Sequence, residues 1–156
     1  MKFLTLHQPW ASLVACGAKR VETRSWPTSY RGALGICAGK SFRLSERITC
    51  WEPPFNQCLV AVGINHPDSL PRGAVVAVAR LVDCVVADEL APYLTAQEKA
   101  FGNYGPDRWA WKLEDIVQLD PPFACIGHHR LWWDAPLAEL VYHRLGWTRP
   151  LLKANG

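Results

Sequence analysis

The sequence predicts an α+β domain built on a small, curved, mixed sheet or barrel, with helices inserted between the early strands and at the C-terminal end. Three observations lead there. Residues 74–86 (AVVAVARLVDCVV) form a near-continuous apolar run, which reads as a strand buried on both faces. Shorter apolar runs flank it, separated by Gly and Pro, for roughly five to seven strands in all. Helix signals, with Pro near the start and Gly at the end, fall early in the chain and again after residue 134. The 156 residues, 49% hydrophobic and 20% charged, suit a single domain. Its core spans about residues 3–134, followed by a C-terminal helix and tail. Such a chain buries roughly 70% of its unfolded surface and needs no metal or disulfide staple.

The elements follow in order. Residues 3–6 read as a short strand. Pro9 suits the first turn of a helix and Gly17 its end, with Trp10, Leu13, Val14 and Cys16 between them. Residues 20–25 form a strand, 27–31 a turn, and 33–38 a second, mostly apolar strand. Ser41 caps a helix to about Trp51, which Glu52-Pro53-Pro54 ends. Residues 56–64 fit a second short helix and 65–73 a loop. The run at 74–86 is long for one strand, so a bend or bulge is expected. Residues 88–101 are helix and loop, with Thr95 as a cap. In a strand at 109–117, Trp109, Trp111 and Leu113 face one way, and Ala110, Lys112 and Glu114 the other. Pro121-Pro122 reads as a break, leaving short strands at 123–126 and 131–133. Residues 135–145 form a helix closed by Gly146, and 149–156 a fraying tail.

Composition narrows the function classes. The apolar runs are far short of a membrane span, so no membrane partner is expected. The N-terminus, interrupted by His7, Gln8 and Pro9, does not read as a signal peptide, so a cytoplasmic location is expected. The net charge of +3 is compatible with nucleic-acid binding only if the basic surface is local. Six cysteines lack CxxC spacing and read as buried small hydrophobes in a reducing compartment. His128 and His129 are adjacent and point opposite ways in a strand, while His7 and His66 are isolated. No metal site is expected, and no GxSxG, P-loop or dinucleotide fingerprint implies a cofactor.

The densest chemistry lies at Gly17-Ala18-Lys19-Arg20-Val21-Glu22-Thr23-Arg24-Ser25-Trp26. In an extended chain Arg20, Glu22, Arg24 and Trp26 share one face, and Val21, Thr23 and Ser25 the other. Alternating charge ending in an indole makes a poor core face and a good floor for a polar, anion-tolerant cleft. Lys19 and Arg24 can meet phosphate or carbonyl oxygens, the arginine with a two-pronged fork. Glu22 can accept from the amino group of a base, and Trp26 can stack one. A solvated strand face of ion pairs is the plainer alternative. Tyr30, Arg31 and Lys40 add an aromatic and positive charge, although Arg31-Gly32 also suits a simple turn. Gln8, Trp10, Trp109 and Trp111 are candidate pocket walls, with at least half of the eight tryptophans expected in the core. The turn-rich loop 102–106 is either a lid or a plain connection.

An ordered set of segments carries a family resemblance. They are Leu6-His7-Gln8-Pro9-Trp10-Ala11, the charged run 17–26, Tyr30-Arg31-Gly32, Ala38-Gly39-Lys40, Phe101-Gly102-Asn103-Tyr104, Arg108-Trp109-Ala110-Trp111, and Gly127 with Leu131-Trp132. The chain resembles the ASCH (activating signal cointegrator homology) domain, in the PUA-like superfamily of small β-barrels. The resemblance implies a cleft along Lys19, Glu22 and Arg24 that receives RNA, or a nucleobase derived from it, with DNA an open alternative. Some relatives act as enzymes and others only bind, so the family sets the fold more firmly than the reaction. Relatives that deacetylate N4-acetylcytidine look as if they use a Lys–Thr–Glu set, with Thr three residues after Lys. Here Glu22 holds that place and Thr23 sits beside it, which puts that activity in doubt.

Three functions stay open. The first is a nucleic-acid or nucleobase binder using Lys19, Arg24, Trp26, Arg31 and Lys40, in which Lys19→Ala weakens binding and leaves the fold intact. The second is a metal-independent ribonuclease or amidohydrolase using Lys19 and Glu22, with Tyr30 as a further proton carrier. The third is a protein-interaction module, with 135–145 as a self-association surface and the partner unknown.

Overall fold

The apolar run forms one long strand, β4 (Ala74–Val86), and the sheet is organised around it. In a computed structural model that describes residues 1–148, β4 pairs antiparallel with β3 (Gly32–Ala38) on one side and β5 (Trp109–Ala124) on the other. Beyond β5 lies β2 (Val21–Arg24), and beyond β3 lie β1 (Lys2–Leu6) and β6 (Leu131–Trp132). The order β2-β5-β4-β3-β1-β6 is mixed, because β1 and β3 run parallel. The sheet curls into a half-barrel. The expected bend is present: the β4–β5 register shifts three times, between Val75 and Ala77, Val78 and Arg80, and Leu81 and Asp83. Each irregularity adds local twist and lets a long strand curve.

Among the described residues six α-helices complete the fold: α1 (Trp10–Ala15), α2 (Leu44–Thr49), α3 (Phe55–Ala61), α4 (Ala87–Leu90), α5 (Ala96–Ala100) and α6 (Ala135–Leu145). Alternation along β1 sends Leu4 and Leu6 to a core under α1, with Leu34, Ile36, Leu81 and Trp111. Phe3 goes to the opposite face, with Val75, Val78 and Leu119, under Leu137, Val141 and Tyr142 of α6. That two-sided burial is why β4 carries almost no polar residues in its first half. α6 is held as its ends predict: Asp134 Oδ1 accepts from the Leu137 N–H at 2.8 Å, and Gly146 closes it at φ +64°. Thr95 caps α5, accepting from the Glu98 N–H at 3.1 Å. No helix among the described residues is long and apolar enough to cross a membrane.

Four expectations need correction. α2 starts at Leu44 and is not capped by Ser41; Arg43 holds the N-cap position, and its N–H donates to Glu46 Oε2 at 2.6 Å. A carboxylate three residues into the helix thus satisfies the end that a serine was expected to cap. Pro121-Pro122 does not end β5, which continues to Ala124 and absorbs the short strand expected at 123–126. Both prolines fall in the register gap between the Ala77–Gln118 and Val75–Phe123 pairs, where no ladder donor is required. Cys37 and Cys125 are not separate thiols: they meet as a disulfide 88 residues apart in sequence. β3 and β5 flank β4, with Cys37 and Phe123 both opposite Val75, so the register brings the two sulfurs together. The fourth concerns 20–26, where the strand is only Val21–Arg24, and Ser25 and Trp26 lie past its end. The tail at 149–156 lies outside the described residues.

Candidate functional site

Strand alternation builds the floor of a cleft of about 420 Å³. β2 pairs with β5, Glu22 opposite Trp111 and Arg24 opposite Trp109. Val21 is packed with Ala87 and Ala110, and the Thr23 hydroxyl accepts from the Asn103 N–H at 3.1 Å. Glu22 and Arg24 line the cleft with Trp26, Trp10, His7, Phe101, Asn103 and Arg108, and Thr23 and Ser25, expected on the opposite face, line it too. His7 and Trp10 arrive from the β1–α1 corner, Phe101 and Asn103 from the loop after α5, and Arg108 from just before β5.

The electrostatics are those of a cation-rich site around one carboxylate. Glu22 lies between Lys19 Nζ at 3.5 Å and Arg24 Nε at 3.2 Å. Arg24 Nη2 donates to the Thr5 carbonyl at 2.8 Å, and Arg108 Nη2 to the Thr23 carbonyl at 3.0 Å. The Nε groups of both arginines are buried and donate no hydrogen bond to any described residue; Arg24 Nε is near Glu22 but poorly aligned with it. Arg24 and Arg108 thus bring two guanidinium groups to the cleft lining. Trp26 stands edge-on against Trp111, ring centres 4.7 Å apart, and the Arg130 guanidinium lies 5.5 Å from the Trp26 ring.

The loop that forms the far wall is hung on β2. Lys19 Nζ donates to the carbonyls of Val21 and Phe101, the latter at 3.2 Å. Glu98 accepts from the N–H groups of Arg20 and Val21, each at 3.0 Å. Behind this wall the Tyr104 hydroxyl is buried and unpartnered; burial, then the charges of Glu98 and Glu22, push its ionisation well above the usual tyrosine range.

Of the residues expected at the site, Glu22, Arg24, Trp26 and Trp10 come together at the cleft. Lys19 does not line it: the side chain is fully buried beneath, because two carbonyls and Glu22 draw its ammonium inward. Gln8 is also fully buried, donating to Ser12 Oγ at 2.8 Å and the Pro71 carbonyl at 2.7 Å, and so locks the start of α1. Trp111 is core, and Trp109 packs against that core outside the cleft lining. Tyr30 donates to the Ala33 carbonyl at 2.5 Å, away from Glu22 in a turn, and burial raises its ionisation. Arg31 pairs with Asp83 at 3.4 Å and with carbonyls of its own turn, outside the cleft lining. Lys40 lies outside the cleft, its alkyl chain along Gly73.

Sequence reasoning passed over His7, Asn103 and Arg108. His7 Nδ1 lies 3.2 Å from Glu46 Oε1, a contact across the β1–α1 corner that spacing cannot show. Asn103 sits in the turn-rich loop, and Arg108 directly precedes a Trp-rich strand; those were the available signals.

A curled half-barrel with a cation-rich, tryptophan-walled cleft at its β2 edge defines a small α+β domain. Residues 4–123 match the ASCH domain family, and the chain belongs to that family, which is generally associated with RNA binding. Activating signal cointegrator 1 of Homo sapiens is 35% identical to it over 82 residues, and that of Mus musculus equally so. Those matches cover 53% of this chain and 14% of the length of each relative. The crystal structure of an ASCH protein from Zymomonas mobilis superposes with a TM-score of 0.54 at 16% identity, covering 91% of this chain and 93% of that one. A single-residue variant of the same protein gives 0.53 over 92% and 94%. At that identity the likeness is one of fold.

Proposed function

We propose that the cleft binds single-stranded RNA, or a modified nucleobase derived from it, by combining a base-stacking wall with guanidinium donors. The observation that carries this reading is the common cleft lining of Arg24, Arg108 and Trp26 around the Glu22 carboxylate. Arginine forks suit phosphate and carbonyl oxygens. Tryptophan faces accept any base. Glu22, held between two cations, is an acceptor for an exocyclic amino group. The cleft volume falls within the range of about 300–1,000 Å³ typical of small-ligand pockets. Fluorescence anisotropy with a short single-stranded RNA, its DNA counterpart and free nucleosides tests this. Affinity should fall with added salt, and Arg24→Gln should weaken it about tenfold. Unchanged affinity in a folded Arg24→Gln protein would falsify the reading, and a preference for DNA would reassign the ligand.

One observation favours a second reading in the same cleft, a metal-independent hydrolase. Lys19 and Glu22 approach to 3.5 Å, and Thr23 lines the cleft beside them, the three residue types that the family resemblance links to deacylation. Glu22 is the group exposed to a substrate, so it is the candidate proton carrier. Incubation with N4-acetylcytidine and RNA in EDTA, read by mass spectrometry, separates the two readings. Products lost in Glu22→Gln would make this an enzyme; no products with intact binding would leave a binder.

A further inference from the structure

A second cationic surface begins where the cleft ends. Lys40 lies along Gly73, next to Arg72. The Arg72 guanidinium lies 5.7 Å from the Phe42 ring centre, and the Arg47 guanidinium 5.3 Å from it. Arg43 is exposed and follows Phe42 directly. Two guanidinium groups are thus held at one aromatic ring by cation–π attraction, with Lys40 and Arg43 on the segments beside it.

This strip is joined to the cleft through shared residues. Gly39 N–H donates to the Leu6 carbonyl at 2.9 Å, and Gln8 reaches the Pro71 carbonyl, so both segments of the strip lean on the β1–α1 corner. Leu6 and His7 of that corner line the cleft. Glu46 ties the two sides, contacting His7 on one and accepting from the Arg43 N–H on the other. The opposing charge is small. Asp68 pairs with Arg47 at 2.5 Å and faces Arg72 and His66 more weakly; Glu46 is buried. Lys40, Arg43 and Arg72 form no ion pair within 4 Å of a carboxylate among the described residues, and Arg72 also feels the charge of Asp68. Four cations against one exposed carboxylate, next to the corner that lines the cleft, suit a polyanionic strand better than a protein surface of mixed sign.

We propose that Lys40, Arg43 and Arg72, with Arg47 and Phe42 between them, hold the phosphodiester backbone of a single-stranded nucleic acid as it leaves the cleft. The inference rests on the cleft being a nucleic-acid site and adds the direction in which the strand runs. The strip reads charge and not sequence, so it contributes affinity in proportion to strand length.

The test compares a dinucleotide with a ten-nucleotide single strand of mixed sequence, by calorimetry over a range of salt. Wild type should bind the longer strand more tightly. The double variant Arg43→Gln with Arg72→Gln should weaken the longer strand roughly tenfold and reduce its salt slope by about 1.4, two contacts' worth, with dinucleotide affinity unchanged. Both residues are exposed, so the fold is expected to survive; circular dichroism checks it. If the double variant binds the longer strand like wild type while Arg24→Gln abolishes binding, the strip is wrong and the cleft reading stands. If the double variant loses binding and Arg24→Gln does not, the strip binds nucleic acid and the cleft reading fails. Failure of wild type to bind either strand overturns both.

Discussion

The ammonium of Lys19 donates to the carbonyl of Phe101 at 3.2 Å, a bond between residues 82 apart in sequence, made with no solvent exposure at the lysine. It fastens the loop forming one wall of the cleft to the segment that leads into β2. The lysine is thereby part of the frame that shapes the cleft.

Lys19→Met should therefore destabilise the fold, contrary to the sequence-based expectation that substitution leaves it intact. Removing the ammonium strands two buried carbonyls and the Glu22 carboxylate, a loss of about 3 kcal/mol. For a chain of this size that is roughly 6–12 °C in Tm. Thermal denaturation by circular dichroism checks this; an unchanged Tm would mean that the wall holds without the lysine.

Trp26→Leu should reduce affinity for a single-stranded ligand by about 1–3 kcal/mol, roughly 5- to 150-fold, because the stacking face is lost. Leucine keeps some contact with the Trp111 ring, so folding should suffer less than binding. Anisotropy titrations report the affinity; equal Kd values for the two proteins would take Trp26 out of the site.

Stability should fall above about pH 9. Burial pushes the Cys50 thiol up to about 11 from an ordinary 9.0, and burial likewise raises Tyr104 above its ordinary 10.0. In the unfolded chain both groups lose their protons at the lower, ordinary values. Above those values the unfolded state binds fewer protons than the folded one, so raising pH favours unfolding, for Cys50 through about pH 11. Urea midpoints between pH 8 and 11 should decline. Tyr104→Phe should make the decline shallower without a loss at pH 7, since the deleted hydroxyl is buried and unpartnered. A steeper decline in that variant would contradict the account.

Gly35→Ala should cost about 1–3 kcal/mol, the range for overpacking a tight core. A Cβ there would lie 2.2 Å from Phe3 Cδ1, and Phe3 is itself fully buried between the sheet and α6. A chemical-denaturation midpoint equal to wild type would show that Phe3 has room to move.

Much of this protein was legible in its sequence. The apolar run of β4, the Pro9 and Gly17 ends of the first helix, the Thr95 cap and the Gly146 stop depend on residues within a few positions of each other, so pattern alone locates them. The same is true of the alternation that puts Glu22 and Arg24 on one face. The ordered segments also carried the family.

Tertiary structure decided the rest. It turned Lys19 inward, brought Asn103 and Arg108 to the cleft, joined Cys37 to Cys125, carried β5 past Pro121-Pro122, and placed Arg31 and Lys40 outside the cleft lining. The physical reason is range. Caps and periodicity arise from neighbours along the chain. The direction of a lysine ammonium, or the meeting of two cysteines, is set by sheet register and curl, which bring together groups 80 or more residues apart.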